Sequence, residues 1–264
     1  LEQFISTFDY FGIKKLEKQK IKGHFSSIIN LKGTLLRQGN IAENSINIEL
    51  KKGMIKTMDG TIDFDGKLIP KNNKYNFSSN AKINRVAIEQ FLETFDNFGI
   101  TSFQPKNIHG QLNAKASVNG FLEANGKFVP NSIAGETAID ITNGSLEDFE
   151  PIKNVWRYIF PFRDFKNITF SSITGNLKIN GDKVNVVDFK VNSNVMNFDM
   201  NGIYAFKTGT NLALTVPLRN PKKDLKINDE IIKNEKRDNG IILHLLATDG
   251  DNGKIKIKLG KRKQ

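Results

Sequence analysis

Cysteine is absent from all 264 residues, which excludes disulfides, thiolate metal sites and cysteine nucleophiles together. The redox compartment stays open, because a chain without thiols suits cytosol and periplasm alike. Histidine is nearly as scarce. His24, His109 and His244 stand far apart, none with a neighbour at metal-ligand or triad spacing. No run of about 18 apolar residues occurs, so no membrane-spanning helix is expected. There is no Walker loop, no G-x-G-x-x-G and no G-x-S-x-G. Asp249-Gly250-Asp251-Asn252-Gly253 starts like a calcium loop but lacks the sixth-position Gly and the distal Glu, so it reads as a hairpin turn. Asp63-Phe64-Asp65-Gly66 reads the same way. The expectation is a protein that is not an enzyme, with no metal and no cofactor.

Hydrophobic residues make up only 38%, yet there are 20 Phe against one Trp and four Tyr, which argues against a disordered chain. The net charge is +11. Its lysines are spread among Asn and Asp along polar strand faces, with no recognition helix and no aromatic RNA platform, so nucleic acid is not expected. Anionic lipid head groups could use the same charge. The chain begins at Leu1 without a charged n-region or apolar h-region, and an anchor or signal peptide is expected upstream.

The chain repeats itself. Residues 1–13, LEQFISTFDYFGI, match residues 88–100, IEQFLETFDNFGI, at nine of thirteen positions. The offset of 87 continues, placing Gly23, Gly33 and Gly39 opposite Gly110, Gly120 and Gly126. Lys52-Gly53 then matches Asn143-Gly144 after a four-residue insertion. Glycines kept at matching places mark turns and bends.

Each copy opens on a short amphipathic helix. Leu1, Phe4, Ile5, Phe8 and Phe11 share one helical face, as do Ile88, Phe91, Leu92, Phe95 and Phe98, with Gly99 at the stop. A third helix is expected over 151–160, started by Pro151 and ended by Pro161. The rest reads as strand. Apolar and polar residues alternate through Ile46-Ile48-Leu50, Leu112-Ala114-Ala116-Val118 and Met196-Phe198-Met200. Asn180-Gly181 is a hairpin signal between Leu177-Ile179 and Val184-Val186, and Leu212-Leu214-Val216 follows a turn at Thr208-Gly209. Such period-2 alternation predicts antiparallel sheet with one apolar and one wet face, in some 14 to 16 strands. Alternation fails over 219–239, a basic excursion that includes Lys222, Lys223 and Lys226. Three short helices cannot cover such a sheet, so either it folds onto itself or part of its apolar face lines a groove.

Residues 141–218 carry a family resemblance. ITNGSLEDFEPIKNVWRYI is followed by FKNITFSSITGNLKINGDKVNVVDFKVNSNVMNFDMNGIYAF and then TNLALTVPL. An NG-x-ϕ-x-D-F-x-P-ϕ opening at 143–152, a short helix, a strand over 170–179 and a strand with a central Gly202 come in the same order as in the C-terminal region of the AsmA-like proteins of Gram-negative bacteria. The match resembles the form common in Bacteroidota, and departs from it at Val187-Asp188 and at Asn194-Val195-Met196.

The resemblance implies a mainly β fold: a long curled antiparallel sheet, an open groove or β-taco built from repeats with short helices at the repeat starts. It extends to TamB-like and chorein-type lipid-transfer proteins. It divides the chain into a first repeat at 1–87, a second at 88–149, and a C-terminal module at 150–264 that holds the excursion. The implied protein is periplasmic, held to the inner membrane by an upstream helix. Its apolar groove holds or conducts phospholipid between the inner and outer membranes in support of outer-membrane biogenesis. The groove candidates are Ile46, Ile48, Leu50, Ile62, Phe64 and Phe77 in the first repeat, then Leu112, Val118, Ile139 and Ile141 in the second. In the C-terminal module they are Leu177, Ile179, Val184, Val186, Met196, Phe198, Met200, Leu212, Leu214 and Val216. Lys222, Lys223 and Lys226 are candidates for head-group or partner contact, and the partners are phospholipid, the membrane surface and envelope proteins. The alternative is a non-catalytic structural or protein-binding β-module of the envelope.

Overall fold

The computed structural model describes residues 23–37, 39, 42, 45–100, 104–124, 126–147, 167–219, 223, 227–229, 232, 235–236, 240–251 and 255–260. The helices expected at 1–13 and 151–160 lie outside these residues, as do Lys222 and Lys226. The described strands are β1 (His24–Lys32), β2 (Asn47–Thr57), β3 (Gly60–Lys71), β4 (Lys74–Ala87), β5 (Ile108–Glu123) and β6 (Ala134–Glu147). They continue as β7 (Asn167–Asn180), β8 (Lys183–Ser193), β9 (Asn197–Ala205), β10 (Asn211–Pro217), β11 (Ile242–Asp249) and β12 (Ile255–Leu259). All pair in chain order into one 12-stranded antiparallel sheet that is not closed into a barrel.

Twelve strands among the described residues are fewer than the sequence suggested. The reason is strand length. β5 runs for 16 residues, and β4, β6 and β7 for 14 each, well beyond the usual five or six or so. By compact packing the chain divides into two units. One is Leu1–Ala87, Asn113–Thr137 and Lys178–Asp182; the other is Ile88–Leu112, Ala138–Leu177 and Lys183–Gln264.

Local chemistry sets the register. Met58-Asp59 joins β2 to β3 and Asn72-Asn73 joins β3 to β4, with φ of 51°, 61°, 52° and 58°. Two-residue hairpins of type I′ need positive φ at both positions. Inside the sheet, β2, β4, β6 and β8 each contain one residue with positive φ: Lys52, Arg85, Asn143 and Asp188. At Lys52 and at Asp188 the pairing register shifts, the mark of a β-bulge. The freed backbone groups find Asx side chains on the next strand. Lys52 N–H donates to Asp65 Oδ1 at 3.0 Å, Arg85 N–H to Asn113 Oδ1 at 3.0 Å, and Asp188 N–H to Asn201 Oδ1 at 2.8 Å.

The 87-residue offset recurs bond for bond in one loop. Gly39 N–H donates to Leu36 O, Ala42 N–H to Thr34 O, and Thr34 N–H to Ser45 Oγ at 2.9, 2.8 and 2.9 Å. Gly126 donates to Glu123 O, Val129 to Phe121 O, and Phe121 to Ser132 Oγ at 2.8, 2.9 and 2.9 Å. Gly39 and Gly126 share φ of 81° and 76°. Gly23 and Gly110, ahead of β1 and within β5, also both have positive φ.

The helix of the second copy is shorter than its periodicity predicts. α1 (Ile88–Thr94) buries Ile88 and Leu92, and a 3-10 turn follows in which Asn97 and Phe98 have φ of 49° and 50°. Left-handed backbone at these two residues ends the helix before Phe95 and Phe98, and Asn tolerates it through local hydrogen bonding. Asn97 Nδ2 donates to Ile100 O at 2.7 Å. Phe91, Phe95 and Phe98 still cluster, with ring centroids 4.9 to 5.9 Å apart.

Between β10 and β11, Leu218 N–H donates to Ile241 O at 2.8 Å and closes the base of the connection. The described residues between them belong to no strand. Asp249 ends β11 and accepts from the N–H groups of Gly209 and Thr210 at the β9–β10 turn. The hydrogen bond from Gly209 and the Thr210 hydroxyl hold its carboxyl below the ordinary carboxylate range. Burial, then the charge of Asp249, raises the Tyr204 phenol.

Candidate functional site

Residues paired directly across an antiparallel ladder point to the same face, so the register sorts the candidates without assumption. In the first unit, Ile48 pairs with Leu68, Leu50 with Gly66, Gly53 with Phe64 and Ile55 with Ile62. On β4, Phe77 faces Leu68 and Ile83 faces Ile62; on β1, Leu31 faces Ile48 and Ile29 faces Leu50. The Lys52 bulge reverses strand parity, which keeps Ile48, Leu50, Gly53 and Ile55 on one side. Ile48, Leu50, Ile62, Phe64 and Phe77 therefore share an apolar face of β1–β4. Ile46 stands just ahead of β2.

In the second unit, Val184 pairs with Tyr204, Val186 with Gly202, Phe189 with Met200 and Val191 with Phe198. β10 adds Leu212 and Leu214, β11 adds Leu243, Leu245 and Ala247, and β12 adds Ile257 and Leu259. Val186, Phe198, Met200, Leu212, Leu214 and Val216 thus lie on one face. Met196 precedes β9 in a turn where its N–H donates to Ser193 Oγ at 3.0 Å, and its side chain is enclosed.

Aromatic rings are set over glycines along the sheet. A Cβ on Gly53 would stand 2.8 Å from the Phe64 ring, and one on Gly120 2.9 Å from that of Phe77. In the second unit Phe170 occupies the place over Gly144, and Phe189 the place over Gly175. Phe77 puts Val118, two residues from Gly120 on β5, on its own side; Leu112 keeps the same strand parity. Leu177 and Ile179 continue the side of β7 that carries Gly175, and Ile139 and Ile141 share one side of β6.

The candidates differ in cover. Leu50, Ile62, Phe64, Phe77 and Val118 in the first unit are half-buried, whereas Val186, Phe198, Leu212, Leu214 and Val216 in the second are buried. An apolar molecule would meet the first group directly.

The opposite face is polar. On β1–β3, Glu49 accepts from Asn30 Nδ2 at 3.2 Å and pairs with Lys51 and Lys67 at 3.1 and 3.2 Å. The Asn30 hydrogen bond, then those from Lys51 and Lys67, hold its carboxyl down at about 2. His109 Nδ1 stands 2.9 Å from a Glu89 carboxylate oxygen, His24 is exposed and His244 is half-buried. Among the described residues no three His, Asp or Glu side chains form a group able to hold a metal. Lys223 is exposed.

No family model, curated protein or solved structure matches the chain.

Phe25, Ile29, Leu31, Ile55, Leu68 and Ile83 also belong to the first unit's apolar face and were not among the candidates. Ile55 and Leu50 are an odd number apart, so simple alternation assigns them to opposite sides. The signal that separates them is Lys52-Gly53, which the internal repeat aligns with Asn143-Gly144. Phe189 was missed for the same reason, behind the bulge at Asp188.

Proposed function

We propose that the chain is a segment of an AsmA-like periplasmic protein, anchored to the inner membrane, whose apolar β-face holds or conducts phospholipid toward the outer membrane. The observation that carries this reading is the face of β1–β4. It carries apolar side chains on each of its four strands, and Leu50, Ile62, Phe64, Leu68 and Phe77 on it are half-buried.

Lipid handling asks for that chemistry. Moving a sixteen-carbon acyl chain into water costs on the order of 13 kcal/mol, at about 0.8 kcal/mol per CH₂. A carrier must replace the bilayer with non-directional apolar cover and avoid any single tight site that would stall movement. Branched aliphatic side chains and phenyl rings supply such cover.

A photoreactive residue at Leu50 or Phe77, on the apolar face, should cross-link phospholipid in cells. The same residue at Met54 or Ile69, on the polar face, should not. Equal labelling from both faces, or labelling of protein alone, would reject lipid carriage. The enclosed side chains of the second unit favour a second reading for that part, a structural β-module, and labelling confined to the first unit would assign it so.

A further inference from the structure

The end of the β3–β4 hairpin meets the loop between β5 and β6 at a cleft of about 320 Å³. Among the described residues the cleft is lined by Lys71, Asn72, Lys74, Phe121 and Val129, all in the first unit. Lys71 and Lys74 are direct partners in the ladder, and like charges directly opposite each other are destabilising. Glu123 pairs with Lys74 at 2.9 Å and offsets one of them. Lys71 is exposed, and neither its ammonium group nor the Asn72 side-chain amide has a partner among the described residues. The cleft therefore holds one uncompensated cation and one open amide donor beside two apolar side chains.

The internal repeat shows that the apolar wall is not needed to build the loop. At the offset of 87, Phe121, Val129 and Ser132 correspond to Thr34, Ala42 and Ser45. The backbone bonds are shared by both copies, and Ser132 Oγ donates to Val129 O at 2.7 Å as Ser45 Oγ donates to Ala42 O at 2.8 Å. Thr34 and Ala42 thus support the same bonds. Phe121 and Val129 are half-buried, and what they add is apolar surface next to the lysines. Bare inorganic phosphate gains nothing from that surface; an organic phosphate does.

We infer that this cleft binds a phosphate ester, with the phosphate at Lys71, Lys74 and Asn72 and the organic part against Phe121 and Val129. Lysine meets phosphate as a point charge, and the apolar wall removes part of the ester from water. The phosphate-ester chemistry comes from the cleft alone; assigning the ester to a phospholipid head group rests on the lipid-carrying reading. Leu68 and Phe77 of the apolar face stand three residues away on the same two strands, about 10 Å along them. A head group left in water at the strand ends would meet this cleft. With one open lysine the site is weak and salt-sensitive, so it does not halt a lipid in transit.

The test follows the backbone amide shifts of residues 71–74 and 121 in the full chain during titration. The probes are inorganic phosphate, glycerol 3-phosphate and dihexanoylphosphatidylglycerol below its micelle concentration. Read from those shifts, the short-chain lipid should bind about tenfold more tightly than inorganic phosphate. Lys71→Gln, which removes no ion pair, should weaken lipid binding by about threefold to tenfold. Phe121→Thr with Val129→Ala, which installs the residues of the first copy, should bring the lipid down to the level of inorganic phosphate. No shift at 71–74 with any probe, or lipid binding unchanged in Lys71→Gln, overturns the proposal. Equal binding of glycerol 3-phosphate and the lipid overturns the lipid assignment and gives the cleft to a soluble phosphate ester. Leu50→Gln with Ile62→Gln alters the other face and should leave the glycerol 3-phosphate shifts intact. Loss of lipid carriage by that variant tests the apolar face and not the cleft.

Discussion

The ring of Phe64 fills the space that a Cβ on Gly53 would take, with Phe64 Cζ 2.8 Å from that position. Phe170 stands in the same relation to Gly144, and the internal repeat aligns the two glycines. Each glycine follows a residue of positive φ, Lys52 or Asn143. The repeated unit is thus a residue of positive φ, a glycine and a ring from the next strand.

Gly53→Ala should destabilise the protein by about 1–3 kcal/mol, because the new methyl overpacks against the ring and against Phe64 O. Urea melts of the single variant and of Gly53→Ala with Phe64→Leu should show partial recovery in the double. Full stability of Gly53→Ala would show that the ring moves freely and does not define the face.

The bulge acceptors give a second stability test. Asp65→Ala removes the acceptor of the Lys52 N–H, and Asn201→Ala that of the Asp188 N–H. Each should lose about 1 kcal/mol, since both bonds are exposed and water replaces part of each. Asp65→Asn keeps an acceptor oxygen and should lie within about 0.5 kcal/mol of wild type.

Most of the fold was legible because strand alternation and hairpin chemistry are local. The runs of β9 and β10 follow directly from their residues, and the Asn180-Gly181 signal marks the β7–β8 hairpin, whose turn residues are Gly181-Asp182. The bulges at Lys52 and Asp188 and the positive φ of Arg85 were not legible, because each backbone N–H bonds an Asx side chain 13 or 28 positions away on the next strand. A bulge also reverses parity, so Ile55 and Phe189 were lost from the face they occupy. The early end of α1 is set by left-handed backbone at Asn97 and Phe98, which the apolar period at Phe95 and Phe98 concealed. Cover depends on what packs against a face, so the sequence could not separate half-buried Leu50 from buried Val216.

Acid should act through Glu49 in a defined direction. Its folded value near 2 lies below the ordinary 4.5, so the Asn30, Lys51 and Lys67 contacts stabilise the fold above about pH 4.5. That contribution is lost as pH falls toward 2. The group is exposed, so the effect is small and shrinks with salt. Carbon-detected titration should place Glu49 well below the ordinary glutamate value, and Glu49→Gln should flatten the stability profile in this window. A Glu49 midpoint near 4.5 would contradict the hydrogen-bonded cluster.

Under the proposed function, the basic connection between β10 and β11 would meet anionic head groups. Residues 219–239 hold seven cations against five acids. Each Lys or Arg near an anionic surface contributes about 1 kcal/mol, screened beyond about 8 Å at physiological salt. Replacing Lys222, Lys223 and Lys226 with Gln should weaken binding to anionic vesicles, and added salt should weaken it further. Equal binding of the wild-type chain to neutral and anionic vesicles would remove the electrostatic role.

The most direct test of lipid carriage is native mass spectrometry of the protein purified without detergent. The account predicts phospholipid bound to the wild-type chain, lost when Leu50 and Ile62 both become Gln on the half-buried apolar face. It predicts retention when Met54 and Ile69, exposed on the polar face, are changed in the same way. A wild-type chain that carries no lipid, or lipid retained equally by both double variants, would contradict it.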